Sequence, residues 1–253
     1  MIVESLKIIQ FNIFKPYLSL VHAFSTRIGG YSNHPYQSLN LGLTCGDDPQ
    51  IVQKNREIYF NSLDISQDRL VFPVQIHSSN IQIVDSPGIV NNCDALITQT
   101  PKVFLTIQTA DCFPIFIFDP MTQTVAIVHS GWKGTAQNIA GKTIRAMKTG
   151  FKINPNNLLA AIGPGVQLNN FQVDEPVYNQ FDPKYFVPDG PGHYKMDLQL
   201  AIYDQLIAAG LNEYKIERHI DCTYEKEELY FSYRRDGQYS GRMMGVIGIR
   251  TES

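Results

Sequence analysis

The chain has 253 residues, which is enough for one large domain or two small ones at roughly 150 residues per domain. Hydrophobic residues make up 43% of the chain and charged residues 18%, so a disordered or collagen-like protein is excluded. The formal net charge is −3 and the densest basic run is Arg234-Arg235, so a nucleic acid polymer is not an expected partner.

Short apolar runs separated by turn residues predict many strands along the chain. The predicted strands cover residues 6–14, 21–26, 70–76, 81–85, 94–98, 103–109, 114–119, 124–129, 158–162, 215–220 and 243–250. Several of them, such as 103–109 and 114–119, are apolar on both faces, which indicates a sheet that is covered on both sides.

Three helices are predicted from capping residues and apolar periodicity. The first begins at Asp48-Pro49, the second covers 134–148, and the third opens at Asp197 and ends at Gly210. Neighbouring strands are often joined by turns too short for a crossover helix, so we expect mixed or antiparallel sheets rather than a doubly wound parallel one. No linker or repeat interrupts the chain, and residues 1–253 are expected to form one domain.

The sequence shows neither the pattern of a secretory signal nor that of a membrane-spanning segment. An acid, Glu4, stands where a secretory signal has its positive region, and the apolar run 113–118 is far shorter than the roughly 20 residues that cross a bilayer. The four cysteines are widely spaced and form no C-x-x-C pair, which favours a reducing compartment. We therefore expect a cytoplasmic protein that does not bind a membrane.

Two histidines and a cysteine are predicted at strand termini: His77, Cys112 and His129. Two imidazoles and a thiolate are a zinc ligand set, and three protein ligands leave the open position that catalytic zinc requires. Two alternatives remain at this point. The three side chains could be packed or hydrogen-bonded core residues, or Cys112 could be a nucleophile with His129 or His77 as its base.

Several basic residues are candidates for anion binding. The stretch Gly131–Thr135, which includes Lys133, leads from a strand into a helix start, where backbone N–H groups suit a phosphate. Arg27 follows a strand and Arg234-Arg235 follows an aromatic segment, so each could hold an anion bidentately. An ordinary turn and solvated surface arginines are the alternatives.

Asp111, next to Cys112, could orient a ligand or act as a general acid or base, and a capped turn acid is the alternative. Asp94, Asp174 and Glu175 are further candidates for the same role. The aromatic residues that could stack on a planar base, or simply pack at the rims of loops, are Phe24, Tyr31, Tyr36, Trp132, Phe171 and Tyr233.

A set of segments, in order over almost the whole chain, resembles the YfiH/YlmD-like family. These segments are HAFSTRIGGYS, SLNLG, GDDPQIVQKNRE, QIHSSNI, DALIT, TADCFPIFIFDP, AIVHSGWKGT, IGPG, DCTY and FSYRRDGQYSGRM. Members of the family are known as multicopper polyphenol oxidases or laccase-domain proteins, and also as zinc-dependent purine nucleoside enzymes.

The resemblance implies an α+β fold, a single-domain α/β/β/α sandwich with mixed sheets, in which His77, Cys112 and His129 bind one zinc ion. It also implies phosphorolysis of adenosine, inosine and methylthioadenosine to the base and (methylthio)ribose 1-phosphate, and hydrolytic deamination of adenosine to inosine. We accordingly expect catalytic roles for Asp111, Cys112 and Arg27. The residues expected to hold substrate or phosphate are Arg27, Gly131, Lys133, Arg234 and Arg235.

The chain departs from the family pattern in two places. Residues 166–171 contain none of the cysteines that the family often has there, and Lys133 stands where arginine is frequent. Copper is discounted as the native metal, because six histidines and four cysteines, all dispersed, are few for several coppers.

Three alternative functions stay open. They are a zinc amidase that edits the peptidoglycan precursor UDP-MurNAc-L-Ser, a copper-dependent polyphenol oxidase (laccase), and a non-enzymatic metal-binding module. For all of them we expect small-molecule partners rather than an obligate protein partner.

Overall fold

The computed structural model describes residues 5–250. Residues 1–4, on which the expectation of no export signal partly depends, and residues 251–253 lie outside the described part. Within residues 5–250, no helix combines the length and the hydropathy needed to cross a membrane.

The described residues form fifteen strands and six α-helices, joined by short 3-10 turns. The strands are β1 Ile8–Ile9, β2 Leu20–Ser25, β3 Leu70–Pro73, β4 Ile81–Ile83, β5 Gly88–Val90, β6 Ala95–Thr98, β7 Phe104–Thr109, β8 Phe113–Asp119, β9 Thr124–Ser130, β10 Leu159–Ile162, β11 Gln172–Asp174, β12 Phe186–Pro188, β13 His193–Met196, β14 Ile216–Arg218 and β15 Met243–Ile249. The helices are α1 Pro49–Ser62, α2 Trp132–Ala136, α3 Ile139–Phe151, α4 Glu175–Tyr178, α5 Leu198–Ala208 and α6 Tyr233–Asp236.

Two six-stranded mixed sheets form the centre of the molecule. The first has the order β1-β2-β15-β7-β3-β5, in which β3 runs parallel to both β7 and β5. The second has the order β14-β10-β8-β9-β6-β4 and ends in a parallel pair at each edge. A third, three-stranded sheet has the order β11-β13-β12. The prediction of mixed sheets is therefore confirmed.

The alternation of side chains along the strands explains the layers. In β8, Ile115 and Ile117 pack with α3 and α5 on one face, while Phe116 and Phe118 point to the other face and join side chains of the first sheet. On the far side of the first sheet, Tyr59 of α1 packs against the outer face of β2, β7 and β15. The order helix, sheet, sheet, helices is the predicted α/β/β/α sandwich, because apolar residues on both strand faces require cover on both sides.

Some predicted element boundaries are wrong. The strand predicted for 6–14 is only Ile8–Ile9, because the chain then makes a 3-10 turn that buries both Phe11 and Phe14. The helix predicted for 134–148 is split into α2 and α3 at Asn138, which adopts a left-handed conformation and caps α3 through the N–H of Gly141.

Other differences concern short elements. The strand predicted for 70–76 ends at Pro73, so His77 lies four residues beyond it rather than at its end. Strands β5, β11, β12 and β13 were not predicted, because they have three or four residues each and mostly half-buried or exposed side chains without an apolar pattern.

Candidate metal centre

Cys112 and His129 come together through the pairing of β8 with β9. In this antiparallel register Pro114 lies opposite His129, and Phe113 lies opposite Ser130. Cys112 immediately precedes β8, so its side chain reaches the end of β9 that carries His129. His77 arrives from the loop after β3, which belongs to the first sheet. The structure thus brings together the three residues that were predicted to meet.

The potential ligand atoms of His77, Cys112 and His129 all lie within 4.8 Å of one another. The two imidazole rings are nearly perpendicular, at 82°, with their centroids 4.7 Å apart. His129 is buried, Cys112 is half-buried and His77 is exposed, so the cluster opens to solvent on the His77 side. A substrate could approach the cluster from that side.

Asp94 fixes the orientation of His129. Its Oδ1 lies 2.8 Å from Nδ1 of His129, and both side chains are buried. Burial alone would raise the pKa of Asp94, but hydrogen bonds from His129 and Ser78 outweigh it and lower the pKa to about 2. A carboxylate only accepts, so Nδ1 of His129 carries a proton and Nε2 is the ring nitrogen that would bind a metal on losing its own proton.

Electrostatics in the cluster favour a thiolate. Burial would raise the pKa of the Cys112 thiol, but the adjacent His129 and His77 lower it to about 6. Burial would likewise lower the pKa of His129, whereas Cys112 and Asp94 raise it to about 9. The thiolate is the form of cysteine that binds metals, and a bound metal would take the place of the second proton of the His129 ring.

The residues of the cluster fit a metal ion by their donor chemistry. One thiolate and two imidazoles form a common set of three protein ligands, and the hydrogen bond to Asp94 leaves the correct nitrogen of His129 available. Gly131 leaves room for the sulfur, since a Cβ at this position would stand 2.8 Å from Cys112 Sγ. This cluster could therefore hold a metal.

Asp111 lies beside the cluster, but its carboxylate has partners of its own. Oδ1 accepts a 2.7 Å hydrogen bond from the Thr223 hydroxyl, and Oδ2 accepts a 2.6 Å bond from the backbone N–H of Arg234. Burial raises the pKa of Asp111, while the bond from Thr223 opposes the shift. Asp111 thus connects the turn that carries Cys112 to α6.

The two neighbouring arginines of α6 have different surroundings. The guanidinium of Arg235 donates to both carboxylate oxygens of Asp236 and to the carbonyls of Thr223, Tyr224 and Tyr230. These bonds use all five of its N–H groups, so none is left for a phosphate. Arg234 is exposed, and its guanidinium lies over the ring of Phe171.

Arg27 is half-buried and lies over the ring of Phe231, 4.6 Å from the ring centroid. Its Nε donates to the carbonyl of Gln37 and its Nη1 to the carbonyl of Glu227, while Nη2 has no hydrogen-bond partner among the described residues. Burial and the nearby Arg235 lower the pKa of Arg27. This guanidinium therefore has a positioned donor that remains available.

A cavity of about 540 Å³ lies beside Arg27. It is lined by Arg27, His34, Pro35, Glu227, Arg235, Asp236 and Tyr239. None of His77, Cys112 and His129 lines it, so this cavity and the metal-ligand cluster are separate features of the surface.

The turn after His129 forms the short helix α2, with Gly131 at its N-cap. Lys133 is exposed, with its ammonium 5.5 Å from the centroid of the Trp132 ring. A Cβ on Gly134 would stand 2.9 Å from the carbonyl oxygen of Ser78, so α2 packs closely on the loop that carries His77.

The remaining predicted candidates have structural surroundings. Asp174 and Glu175 are exposed residues at the junction of β11 and α4. The aromatic side chains fall into three groups: Phe24, Tyr36 and Phe171 are buried, Tyr31 and Trp132 are half-buried, and Tyr233 is exposed. The sequence predicts Asp94 only as one of several candidates for orienting a ligand or moving a proton. Its contacts with His129 and the His77 loop depend on how the strands pair, which the sequence does not show.

Comparisons with known proteins agree with this architecture. A family model described as multi-copper polyphenol oxidoreductase laccase matches residues 21–250. The purine nucleoside phosphorylase YlmD of Geobacillus stearothermophilus is 35% identical, with 94% of this chain and 93% of the relative covered. The purine nucleoside phosphorylase YfiH of Escherichia coli is 34% identical, with 88% and 91% covered.

Two solved structures have the same fold. The crystal structure of YlmD from Geobacillus stearothermophilus matches with a TM-score of 0.89 at 34% identity, covering 93% of each chain. The crystal structure of a hypothetical protein YfiH from Bacillus licheniformis matches with a TM-score of 0.90 at 30% identity, covering 98% of each chain.

Proposed function

The chain belongs to the YfiH/YlmD family, the multi-copper polyphenol oxidoreductase laccases, and we propose that it is a zinc-dependent purine nucleoside phosphorylase. The observation that carries the proposal is the convergence of His77, Cys112 and His129 within 4.8 Å, in a chain whose relatives bear that name. The proposed substrates are adenosine, inosine and methylthioadenosine, and the proposed products are the free base and (methylthio)ribose 1-phosphate.

Zinc is proposed because the donor set suits it. When bound, zinc supplies a Lewis acid that polarises an oxygen atom of the reacting molecules. Three protein ligands are typical of a catalytic zinc site, where a fourth position is needed for chemistry. Sites with two histidines and a cysteine also bind copper in some proteins, so the zinc-loaded and copper-loaded forms need to be compared.

Phosphate would be held by guanidinium groups on and beside α6. Arg27 has a donor that no described residue uses, and the backbone N–H of Arg234 donates to the carboxylate of Asp111. A planar guanidinium binds phosphate bidentately, whereas Lys133 would act as a point charge. We therefore rank Arg27 and Arg234 first, place Lys133 and the Gly131 turn after them, and remove Arg235 from the ligand set.

Hydrolytic deamination of adenosine is a second proposed activity, because it can use the same cluster. A group that moves protons is needed beside the attacked carbon, and Asp111 is adjacent to Cys112 in the chain. Burial raises the pKa of Asp111, and we propose this carboxyl as the group that passes a proton to the departing amine.

The test is an incubation of metal-stripped, zinc-reconstituted protein with adenosine, with and without phosphate, followed by chromatography of adenine, inosine and ribose 1-phosphate. We expect phosphate-dependent release of adenine and phosphate-independent formation of inosine, both lost in Cys112→Ala. A copper-loaded sample assayed with a phenol provides the comparison for oxidase activity.

Two results would contradict the proposal. Stoichiometric zinc without turnover of any of the three nucleosides would refute the phosphorylase. Cleavage of UDP-MurNAc-L-Ser by the same sample would then assign the zinc site to an amidase. Full activity in Cys112→Ala would refute the role of the cluster itself.

A further inference from the structure

One buried carboxylate, that of Asp94, contacts both histidines of the metal cluster. Its Oδ1 accepts from Nδ1 of His129 at 2.8 Å and from the backbone N–H of His77 at 3.0 Å. Its Oδ2 accepts from the N–H and the hydroxyl of Ser78, each at 2.7 Å. The side chain is fully buried, so these hydrogen bonds replace water completely.

The loop that carries His77 is folded around this carboxylate. The backbone N–H groups of three successive residues, Ile76, His77 and Ser78, all point to Asp94. Successive N–H groups that converge in this way form an anion-binding concavity, and here the anion belongs to the chain itself. His77 has a φ of 58°, a conformation that non-glycine residues seldom adopt and that costs of order 1 kcal/mol or more. The hydrogen bonds to Asp94 offset that cost.

Asp94 also joins the two sheets at the cluster. It precedes β6 of the second sheet, and its backbone carbonyl accepts the N–H of His129 at 2.7 Å. The His77 loop leaves β3 of the first sheet. One residue therefore holds the main chain of His129, the ring of His129 and the backbone of His77.

We propose that Asp94 is the positioning residue of the metal site, setting the separation of His77 and His129 and turning Nε2 of His129 toward Cys112. This proposal deepens the proposed function, since it concerns the same metal cluster. Asp94 acts through the two histidines and needs no contact with metal or substrate.

A second buried aspartate, Asp119, contacts only residues near it in the chain and so differs from Asp94. Asp119 is 1% exposed, and its carboxylate accepts from the hydroxyl and the N–H of Thr122, at 2.7 and 3.2 Å. Those bonds cap a turn three residues away, whereas the partners of Asp94 are 16 to 35 residues distant. Asp119→Asn is thus a matched control for Asp94→Asn.

The experiment measures zinc affinity without substrate, by competition with a chromophoric chelator. Loss of an outer-sphere partner of a metal ligand typically weakens binding about 10- to 100-fold, and we expect a Kd change of this size in Asp94→Asn. Asp119→Asn should stay within about twofold of the unsubstituted protein, because its bonds do not reach the cluster. Equal zinc affinity in Asp94→Asn and the unsubstituted protein would overturn the proposal.

Ring-nitrogen NMR of the metal-free protein gives a readout that loss of stability alone does not change. At a pH above the raised pKa of His129, where its ring is neutral, we expect the proton on Nδ1 in the unsubstituted protein and in Asp119→Asn, and a mixture of tautomers in Asp94→Asn. An unchanged tautomer in Asp94→Asn would contradict the orienting role.

Ser78→Ala is the milder variant, and it decides the matter if Asp94→Asn does not fold. It removes one hydrogen bond to Asp94 and one from the N–H of Asn80 but keeps the carboxylate, so we expect zinc affinity to fall by about threefold, less than in Asp94→Asn. Ser79→Ala is its control, because the Ser79 hydroxyl contacts Gln137 and Lys142 instead. Equal affinities in these two variants would refute the proposal, whereas zinc binding without nucleoside turnover would refute only the proposed function.

Discussion

A Cβ atom at Gly131 would stand 2.8 Å from the sulfur of Cys112 and 3.5 Å from Cδ2 of His77. The φ of Gly131 is −86°, which any residue can adopt, so the backbone does not require glycine here. The side chains of the metal cluster require glycine at position 131, because they occupy the space that a methyl group would need.

Gly131→Ala should therefore weaken metal binding. Overpacking typically costs about 1–3 kcal/mol, and if the metal-bound form carries this cost, Kd should rise by about 5- to 150-fold. The measurement is the chelator competition described above. The control is Gly150→Ala, on the exposed end of α3, where only the flexible end of Ile83 is close and affinity should not change. An affinity equal to that of the unsubstituted protein would show that the sulfur can move aside.

Substitution of Arg235 should lower the stability of the protein, whereas substitution of Arg234 should weaken phosphate binding. Arg235→Lys removes the guanidinium that donates to Asp236 and to three backbone carbonyls. Hydrogen bonds to charged groups contribute about 2 kcal/mol, so we expect the free energy of unfolding to fall by about that amount. Arg234→Ala should leave this free energy within about 0.5 kcal/mol, as for other exposed sites, and raise the KM for phosphate. Urea titration and phosphate kinetics separate the two effects. An unchanged phosphate KM in Arg234→Ala would exclude Arg234 as a phosphate ligand.

Asp111→Asn should separate the two proposed activities. An asparagine can still accept from the N–H of Arg234 and donate to the Thr223 hydroxyl, so α6 stays in place and phosphorolysis should remain within about tenfold. Deamination should fall by about 100-fold or more, because the amide cannot transfer a proton. Asp111→Ala, which removes both contacts, should lose both activities. Equal losses of the two activities in Asp111→Asn would contradict a proton-transfer role specific to deamination.

Acid should destabilise the protein through His22, a buried histidine of β2. Its Nε2 accepts from the N–H of Phe11, and burial lowers its pKa from 6.5 to about 4. Between these values the unfolded chain takes up a proton and the folded chain does not, so the stabilisation present above pH 6.5 is lost as the pH falls toward 4. The shift corresponds to about 3 kcal/mol, at 1.36 kcal/mol per pKa unit.

Urea titrations from pH 7 to 4 test this prediction. His22→Gln retains an uncharged acceptor for Phe11, so its free energy of unfolding should decrease less steeply over that range. Parallel pH profiles for the two proteins would assign the acid sensitivity to other groups.

The layered fold could be predicted because residues such as Phe116 and Ile117 are apolar on both faces of one strand. The meeting of Cys112 with His129 followed in part from their places at the ends of neighbouring strands. The break between α2 and α3 also has a local signal, since Asn138 belongs to a residue type that tolerates the left-handed conformation and caps helices well.

Other features depend on how distant segments dock, and no local pattern encodes them. Asp94 resembles any acid that precedes a strand, and only the approach of the His77 loop gives it partners. Arg234 and Arg235 are adjacent and chemically identical, yet the direction of each side chain decides which one is exposed and which one binds loop carbonyls. The three-stranded sheet β11-β13-β12 has strands too short for periodicity to reveal.

The position of β15 has a consequence for biosynthesis. This strand lies between β2 and β7, so the strands made early by the ribosome are joined into one sheet only by the last of the fifteen strands to be synthesised. His77 and Cys112 follow β3 and β7 of that sheet. Because β3 pairs directly with β7, these two residues can come together before β15 is made, whereas β1 and β2 join the sheet only through residues 243–249.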